Sequence, residues 1–455
     1  MTIQLRGFRA ENILGNATYH LTINADATII VGPNGTGKST FLNVFYLFLT
    51  RQWNRLAEYN FSRLSLELAN GETVSISKAD LLNVDIAAKL PTRLRNFVSQ
   101  LSSERLLSQF ISNKPMTPAT IDRVVKKVGI PNEEVQPLRN YLRRQAPDLF
   151  ETSFLELEQR IAELNLEKVL FLPTYRRIEK DLKSIFPDIE ERFRTRLSEN
   201  QAYARQGQNF SEIVSFGMED IVRIITDFTA KLNSIAKNKS NAAAQEYIRD
   251  MVRGRIKDYS IGPIRDIDPQ AIEQFVNRLD DQLLSGEDKS RLKSDIEKLR
   301  GKKVGKPSKD MQYLGFFVEK MLRVYLDLQK EEAPLLQFTN IIQKYFNNKT
   351  ISYNNYIFSI KDFQGNPISI DDLSSGEKQI ISIFAYLLLT TEKNYLIFID
   401  EPELSLSVPW QKTFLPDIID TARCRYLFAV THSPFVFDNE LRNSIIDVRK
   451  LRVAD

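Results

Sequence analysis

Eight consecutive residues, Gly32-Pro33-Asn34-Gly35-Thr36-Gly37-Lys38-Ser39, have the types and spacing of a loop that closes around a polyphosphate. Glycines keep side chains away from the phosphates, so backbone N–H groups can point inward. The helix that follows adds the positive end of its dipole. Lys38 supplies a point charge for the terminal phosphates. The Ser39 hydroxyl is a hard oxygen donor suited to Mg²⁺, and Thr40 follows it in the first helical turn. Three of the chain's 17 glycines fall in these eight residues, so the cluster does not reflect background composition.

Three further stretches could act on the same phosphates. Ser374-Ser375-Gly376-Glu377 opens an apolar helix and offers hydroxyls and free amides, a second anion site. Taken alone it reads equally well as a helix cap. The apolar run Tyr395–Ile399 ends in Asp400-Glu401. Two acids at the end of a buried strand are costly unless they coordinate or pair. Asp400 suits Mg²⁺, and Glu401 suits a base that orients an attacking water. His432 follows a third apolar run, Tyr426–Val430, at the carboxyl end where parallel sheets hold ligands. It could donate to a γ-phosphate. The other histidine, His20, falls in a predicted strand and reads as structural; Cys424 reads as inert.

These residues need a sheet to hold them. Alternation predicts strands near Ile3–Phe8 and Thr18–Ile23, and Thr28–Val31 reads as a buried parallel strand. A helix is predicted over Lys38–Leu49. Arg63–Glu67 and Thr73–Ser77 flank an Asn-Gly turn and read as a hairpin. From 85 to 349 helical spacing dominates, with a basic hairpin tip near 301–309 and one apolar strand near 168–172 that returns to the first sheet. From 350 strands resume: Ile351–Ser359, Pro367–Ile370, Tyr395–Ile399 and Tyr426–Val430, with helices over Ser375–Leu389 and Trp410–Ala422. Strands alternating with helices predict an α/β fold with a parallel sheet and crossovers. The segments expected are 1–84, 85–349 and 350–455.

Composition removes other chemistries. The 62 Lys+Arg against 58 Asp+Glu leave +4, a weak argument for a nucleic-acid binder. One cysteine cannot form an internal disulfide, and two histidines exclude a His-rich metal centre. No apolar run reaches the roughly 18–20 residues that span a bilayer, and MTIQLRGFRA lacks the apolar core of a secretory signal. A cytoplasmic protein without membrane partners is expected.

As an ordered set, the loop at Gly32–Thr40, the segment Leu373–Gln379, the acidic strand ending at Glu401 and His432 resemble ABC-type ATPase heads of the structural-maintenance-of-chromosomes kind. That resemblance implies a P-loop ATPase head, a mixed sheet with flanking helices, split by a large all-α insertion. It implies ATP and Mg²⁺ as ligands. Residues 32–40 and 374–377 would bind nucleotide, Ser39 and Asp400 the metal, with Glu401 and His432 catalytic. Ser374 falls on the serine of the LSGGQ signature, while Ser375 and Glu377 depart from its glycine and glutamine. Arg9, in Leu5-Arg6-Gly7-Phe8-Arg9, matches an arginine beside the nucleotide base. Residues 399–406 resemble the DEPExxLHP segment of RecF-like and OLD ATPases, with Ser407 in place of the histidine. No Q-loop glutamine is evident; Pro173–Arg177 falls at its place.

In this class the nucleotide is sandwiched between the loop of one subunit and the signature of another, so the resemblance implies head-to-head dimers and higher homo-oligomers. Roughly 330 residues separate loop and signature, and only 23 follow His432, which leaves no room for the nuclease domain that OLD proteins carry there. The chain is therefore expected to lack a nuclease centre of its own. It resembles the ATPase subunits of bacterial anti-phage systems of the Septu (PtuA) and PARIS (AriA) types, which implies a separate HNH-type or toprim-type effector and DNA or a phage protein as trigger. Three alternatives stay open: a RecF-like DNA-repair ATPase, a transporter subunit, and a scaffold that holds ATP with little turnover.

Overall fold

The computed structural model describes residues 5–13, 15, 17–23, 25–82, 110, 116–145, 160, 161, 164, 168–172, 210–212, 218–258, 268–279, 284–301, 308–390 and 394–453. In chain order the main elements are β1 (Leu5–Ile13), β2 (Ala17–Thr22), β3 (Ala27–Val31), α1 (Lys38–Leu49), β4 (Arg63–Leu68), β5 (Thr73–Ser77), β6 (Lys168–Leu172), β7 (Phe210–Glu212), α2 (Met218–Val252), α3 (Lys309–Tyr345), β8 (Lys349–Asn354), β9 (Ile357–Asp362), α4 (Ser375–Leu389), β10 (Tyr395–Asp400), α5 (Val408–Asp420), β11 (Cys424–Thr431), β12 (Ile445–Asp447), α6 (Val448–Leu451) and β13 (Arg452–Val453). They form two compact units, residues 1–217 with 392–455, and residues 218–391. This division by packing differs from the segments 1–84, 85–349 and 350–455, because α4 packs on the long helices α2 and α3.

The first unit holds a six-stranded sheet in the order β12-β3-β11-β10-β6-β7. Every neighbouring pair is parallel. Strand β10 is buried along its whole length and β11 over its last six residues, so neither shows a polar alternation. A second sheet, β13-β2-β1-β4-β5, is antiparallel throughout.

Helix α1 is apolar on nearly every side because both sheets pack on it. Phe45 stacks on Phe8 of β1 at 4.2 Å on one side. On the other it meets Phe398 of β10 and Phe428 of β11 edge-on at 5.2 and 5.1 Å. Each such buried ring contributes about 1.5–3 kcal/mol of apolar transfer. The helix that carries Lys38 and Ser39 is thereby clamped to the strands that carry the acids.

The second unit is built on α2, α3 and α4, with the two-stranded β8-β9 sheet. Residues 351–359, expected as one strand, are two: the chain reverses at Asn355-Tyr356, both with positive φ (45° and 65°). Such a turn needs two left-handed residues, and Asn is among the few that accept one readily. The buried Glu332 of α3 accepts two hydrogen bonds from Arg278 at 2.7 and 2.9 Å, and a third from the Tyr353 hydroxyl at 3.1 Å. Most of the expected tip near 301–309, residues 302–307, lies outside the described residues. Among the described residues no helix is long and apolar enough to cross a membrane.

Candidate active site

Parallel register brings the chemistry to one edge. Val31 of β3 is level with Thr431 of β11, and Val430 of β11 with Asp400 of β10. The loop after β3, the acids after β10 and His432 after β11 therefore emerge together at the carboxyl ends of the strands, where parallel sheets bind ligands.

The loop closes as its glycines dictate. Gly32 has φ +151°, and a Cβ there would lie 2.6 Å from Cγ1 of Val448, so any other residue would be strained and would have to push the Val448 side chain aside. Gly37 (φ 84°) turns the chain into α1. The Thr36 hydroxyl donates to the Pro33 carbonyl at 2.8 Å, and the Tyr19 hydroxyl donates to the Thr36 carbonyl at 2.9 Å. Lys38 is buried and donates to the carbonyls of Gly32 and Pro33 at 2.9 and 2.8 Å. Burial pushes its pKa down, while Asp400, Glu401 and Glu403 pull it back up. The ammonium thus sits inside the loop with carbonyl partners that a phosphate can replace.

The Ser39 hydroxyl donates to Oδ1 of the buried Asp400 at 2.8 Å, across 361 residues of sequence. Two hard oxygen donors in contact, one of them a carboxylate, fit a Mg²⁺ ion that also takes phosphate and water ligands. Glu401 follows at φ +52°, a left-handed conformation unusual for this residue, while its amide donates to the Val430 carbonyl at 2.8 Å. That backbone costs about 1–3 kcal/mol.

The family described as AAA ATPase domain matches residues 3–437. The chain belongs to this ATPase family. It is thus a nucleotide-using P-loop ATPase of mixed α/β fold with a helical region in its middle. No curated protein matches it. Among solved structures, the Smc head domain with an extended coiled coil from Pyrococcus furiosus, bound to the C-terminal domain of ScpA, aligns with 96% of this chain and 91% of its own. The identity is 10% and the TM-score 0.32.

The ATPase has a residue at its edge that motif reasoning passed over. Glu403 accepts from the Thr431 hydroxyl at 2.7 Å, from the His432 amide at 2.8 Å and from the Ser433 amide at 3.2 Å. Ser433 in turn donates its hydroxyl to Oε1 of Gln411 at 2.6 Å. One carboxylate therefore fixes the backbone from which the exposed His432 projects. The only sequence signal was a third acid in Asp400-Glu401-Pro402-Glu403. Glu403→Ala is expected to lower kcat on the order of tenfold to 100-fold, the scale of a mispositioned group, with KM little changed. Glu403→Gln should recover part of the loss, because its amide oxygen still accepts from the two backbone N–H groups. Steady-state kinetics of both variants check this; unchanged kcat in Glu403→Ala would remove the positioning role.

The signature segment lies in the second unit. Ser374 caps α4, and its amide and hydroxyl both donate to Oε2 of Glu377 at 2.8 and 2.7 Å. Lys349 donates to the other Glu377 oxygen at 2.5 Å. Burial would raise the Glu377 pKa, but Lys349 and the Ser374 donors outweigh it and hold the carboxyl below its ordinary range. Glu377 is thus committed to the cap, while Ser374 and Ser375 stay exposed. Arg9 lies in β1 with Nε 3.1 Å from Glu11 Oε1. Residues 173–177, at the place of the Q-loop, lie outside the described residues. Burial, with a smaller effect of Asp26, pushes the Cys424 thiol up to about 12, so it carries no thiolate at neutral pH.

Proposed function

We propose that this ATPase binds and hydrolyses Mg·ATP at the edge built by Lys38, Ser39, Asp400, Glu401 and His432. We further propose that it works as a subunit of a bacterial anti-phage defence complex, in which ATP pairs two heads. In this reading Ser374 of one copy faces the nucleotide of the other, higher homo-oligomers form, and a separate HNH-type or toprim-type effector is restrained or released by the pairing. The nucleotide half rests on one observation above all: the 2.8 Å bond between Ser39 and Asp400, with Lys38 buried beside it. Mg²⁺ held by these two oxygens would neutralise charge on the β- and γ-phosphates. Lys38 would exchange its carbonyl partners for phosphate oxygens, Glu401 would orient the attacking water, and His432 would donate to the γ-phosphate.

The defence half is supported by the sequence: the ordered motifs, the Asp400–Glu403 segment and the helical stretch between loop and signature. Coupling of ATP to an effector requires that the effector distinguish paired from unpaired heads.

Ser374→Arg tests the pairing. Losing the Ser374 cap costs α4 about 1 kcal/mol, but the position is exposed. The variant should therefore fold and bind ATP, yet stay unpaired in size-exclusion chromatography with light scattering; circular dichroism checks the fold. Pairing that persists in the variant counts against Ser374 acting across copies. Recovery of the chain from its host cells with a nuclease-type effector supports the defence role. Hydrolysis stimulated by duplex DNA, with no protein partner, would favour a repair ATPase instead.

A further inference from the structure

Beside the phosphate-binding loop lies a cavity of about 460 Å³. Gly35 and Thr36 of the loop form one wall, Ala17 and Tyr19 of β2 another, and Arg449 and Arg452 a third. We propose that this cavity takes the nucleoside of the bound nucleotide, and that Arg449 and Arg452 are its cationic wall. The proposal rests on the nucleotide reading above and adds where, and by what, the base and ribose are held.

The sheet order supplies the direction. Strand β3, which leads into the loop, lies between β12 and β11. The acids and His432 follow β10 and β11, on one side of the loop. Val448–Arg452 follow β12, on the other. A nucleotide with its γ-phosphate at the acidic side has its nucleoside end on the β12 side, where the cavity opens. Its volume falls within the range of about 300–1,000 Å³ usual for small-molecule sites.

The arginine wall is built into the fold. Asp447 of β12 pairs with Val31 of β3, and Arg452 of β13 pairs with Tyr19 of β2. The short segment between them bridges both sheets, with Val448 against Gly32. Arg449 Nε donates to the two Asp447 oxygens at 3.0 and 3.1 Å, so its guanidinium is oriented before any ligand arrives. Its side chain remains three-quarters exposed (75%), leaving a planar face open. Guanidinium planes stack on nucleobases and donate to ribose and base acceptors. A loop that reads only phosphates would bind tripolyphosphate as well as ATP; these arginines would make the difference.

The test compares ATP with inorganic tripolyphosphate, each with Mg²⁺, by calorimetry on wild type, Arg449→Ala, Arg452→Ala and the double variant of the full chain. The expected result is a loss of ATP affinity on the order of tenfold in the double variant, the scale of one or two cation–π contacts. Tripolyphosphate affinity should stay within about twofold of wild type. Both arginines are exposed, and thermal unfolding confirms that the variants fold; if the double variant does not, the single variants carry the comparison. Unchanged ATP affinity overturns the proposal. Equal losses for both ligands also overturn it, since the arginines would then act on phosphates. A wild-type protein that binds tripolyphosphate but no tighter with ATP overturns the proposal alone, whereas one that binds neither ligand overturns the nucleotide reading itself.

Discussion

Lys38→Ala is expected to weaken ATP binding by at least about 100-fold and to abolish hydrolysis. The side chain makes two hydrogen bonds inside the loop, to the Gly32 and Pro33 carbonyls, which phosphate oxygens would replace. Charge-assisted bonds to phosphate contribute about 1.5–3 kcal/mol each. The two carbonyl bonds given up offset part of that, which leaves on the order of 3 kcal/mol of binding, or roughly 100-fold. A second effect has the same sign. Lys38 is the cation that Asp400, Glu401 and Glu403 act on electrostatically. Without it, those carboxylates face the triphosphate with less compensation, which repels the ligand further. Equilibrium binding of a fluorescent ATP analogue, with circular dichroism to confirm folding, measures the outcome. Affinity within a few-fold of wild type would remove Lys38 from the binding role and with it the assignment of the loop.

Glu401→Gln is expected to leave ATP binding nearly intact while slowing hydrolysis by about 10²–10⁴, the range for loss of a positioned general base. The substitution keeps side-chain size and hydrogen-bonding reach, so the Ser39–Asp400 contact and the β10–β11 backbone bond from the Glu401 amide should persist. Only the basicity is removed. If ATP pairs the heads and hydrolysis releases them, this variant should accumulate in the paired, ATP-loaded form. Phosphate release and light scattering on the same sample read both effects. Hydrolysis at the wild-type rate would show that another group orients the water. Lost hydrolysis without accumulation would keep Glu401 as the base and count against ATP-driven pairing.

Much of this site was legible in the sequence, for local reasons. The loop needs glycines at positive φ and a lysine and serine at the start of a helix, and such demands are met by neighbours in the chain. The predicted helix Lys38–Leu49 has those bounds in the structure. The runs Tyr395–Ile399 and Tyr426–Val430 read as buried strands because a parallel sheet covered on both faces leaves no polar alternation, and they lie within β10 and β11. The acids after such a run were conspicuous because buried charge is costly without a partner.

The remainder concerns which residues meet, and spacing along the chain does not carry that. The sequence by itself determined the kinds of groups available: a glycine-rich loop with a lysine and a serine, a capped helix start, an acidic strand end and a histidine. Only the tertiary structure decided that Ser39 touches Asp400, that Glu403 fixes the backbone of His432, that Lys349 commits Glu377 to its cap, and that Arg449 and Arg452 flank the loop. The physical reason is that backbone preference and hydrophobic period act over a few residues. Contacts between distant residues are set by strand order and register, here the placement of β3 between β12 and β11, which emerge only when the whole core packs.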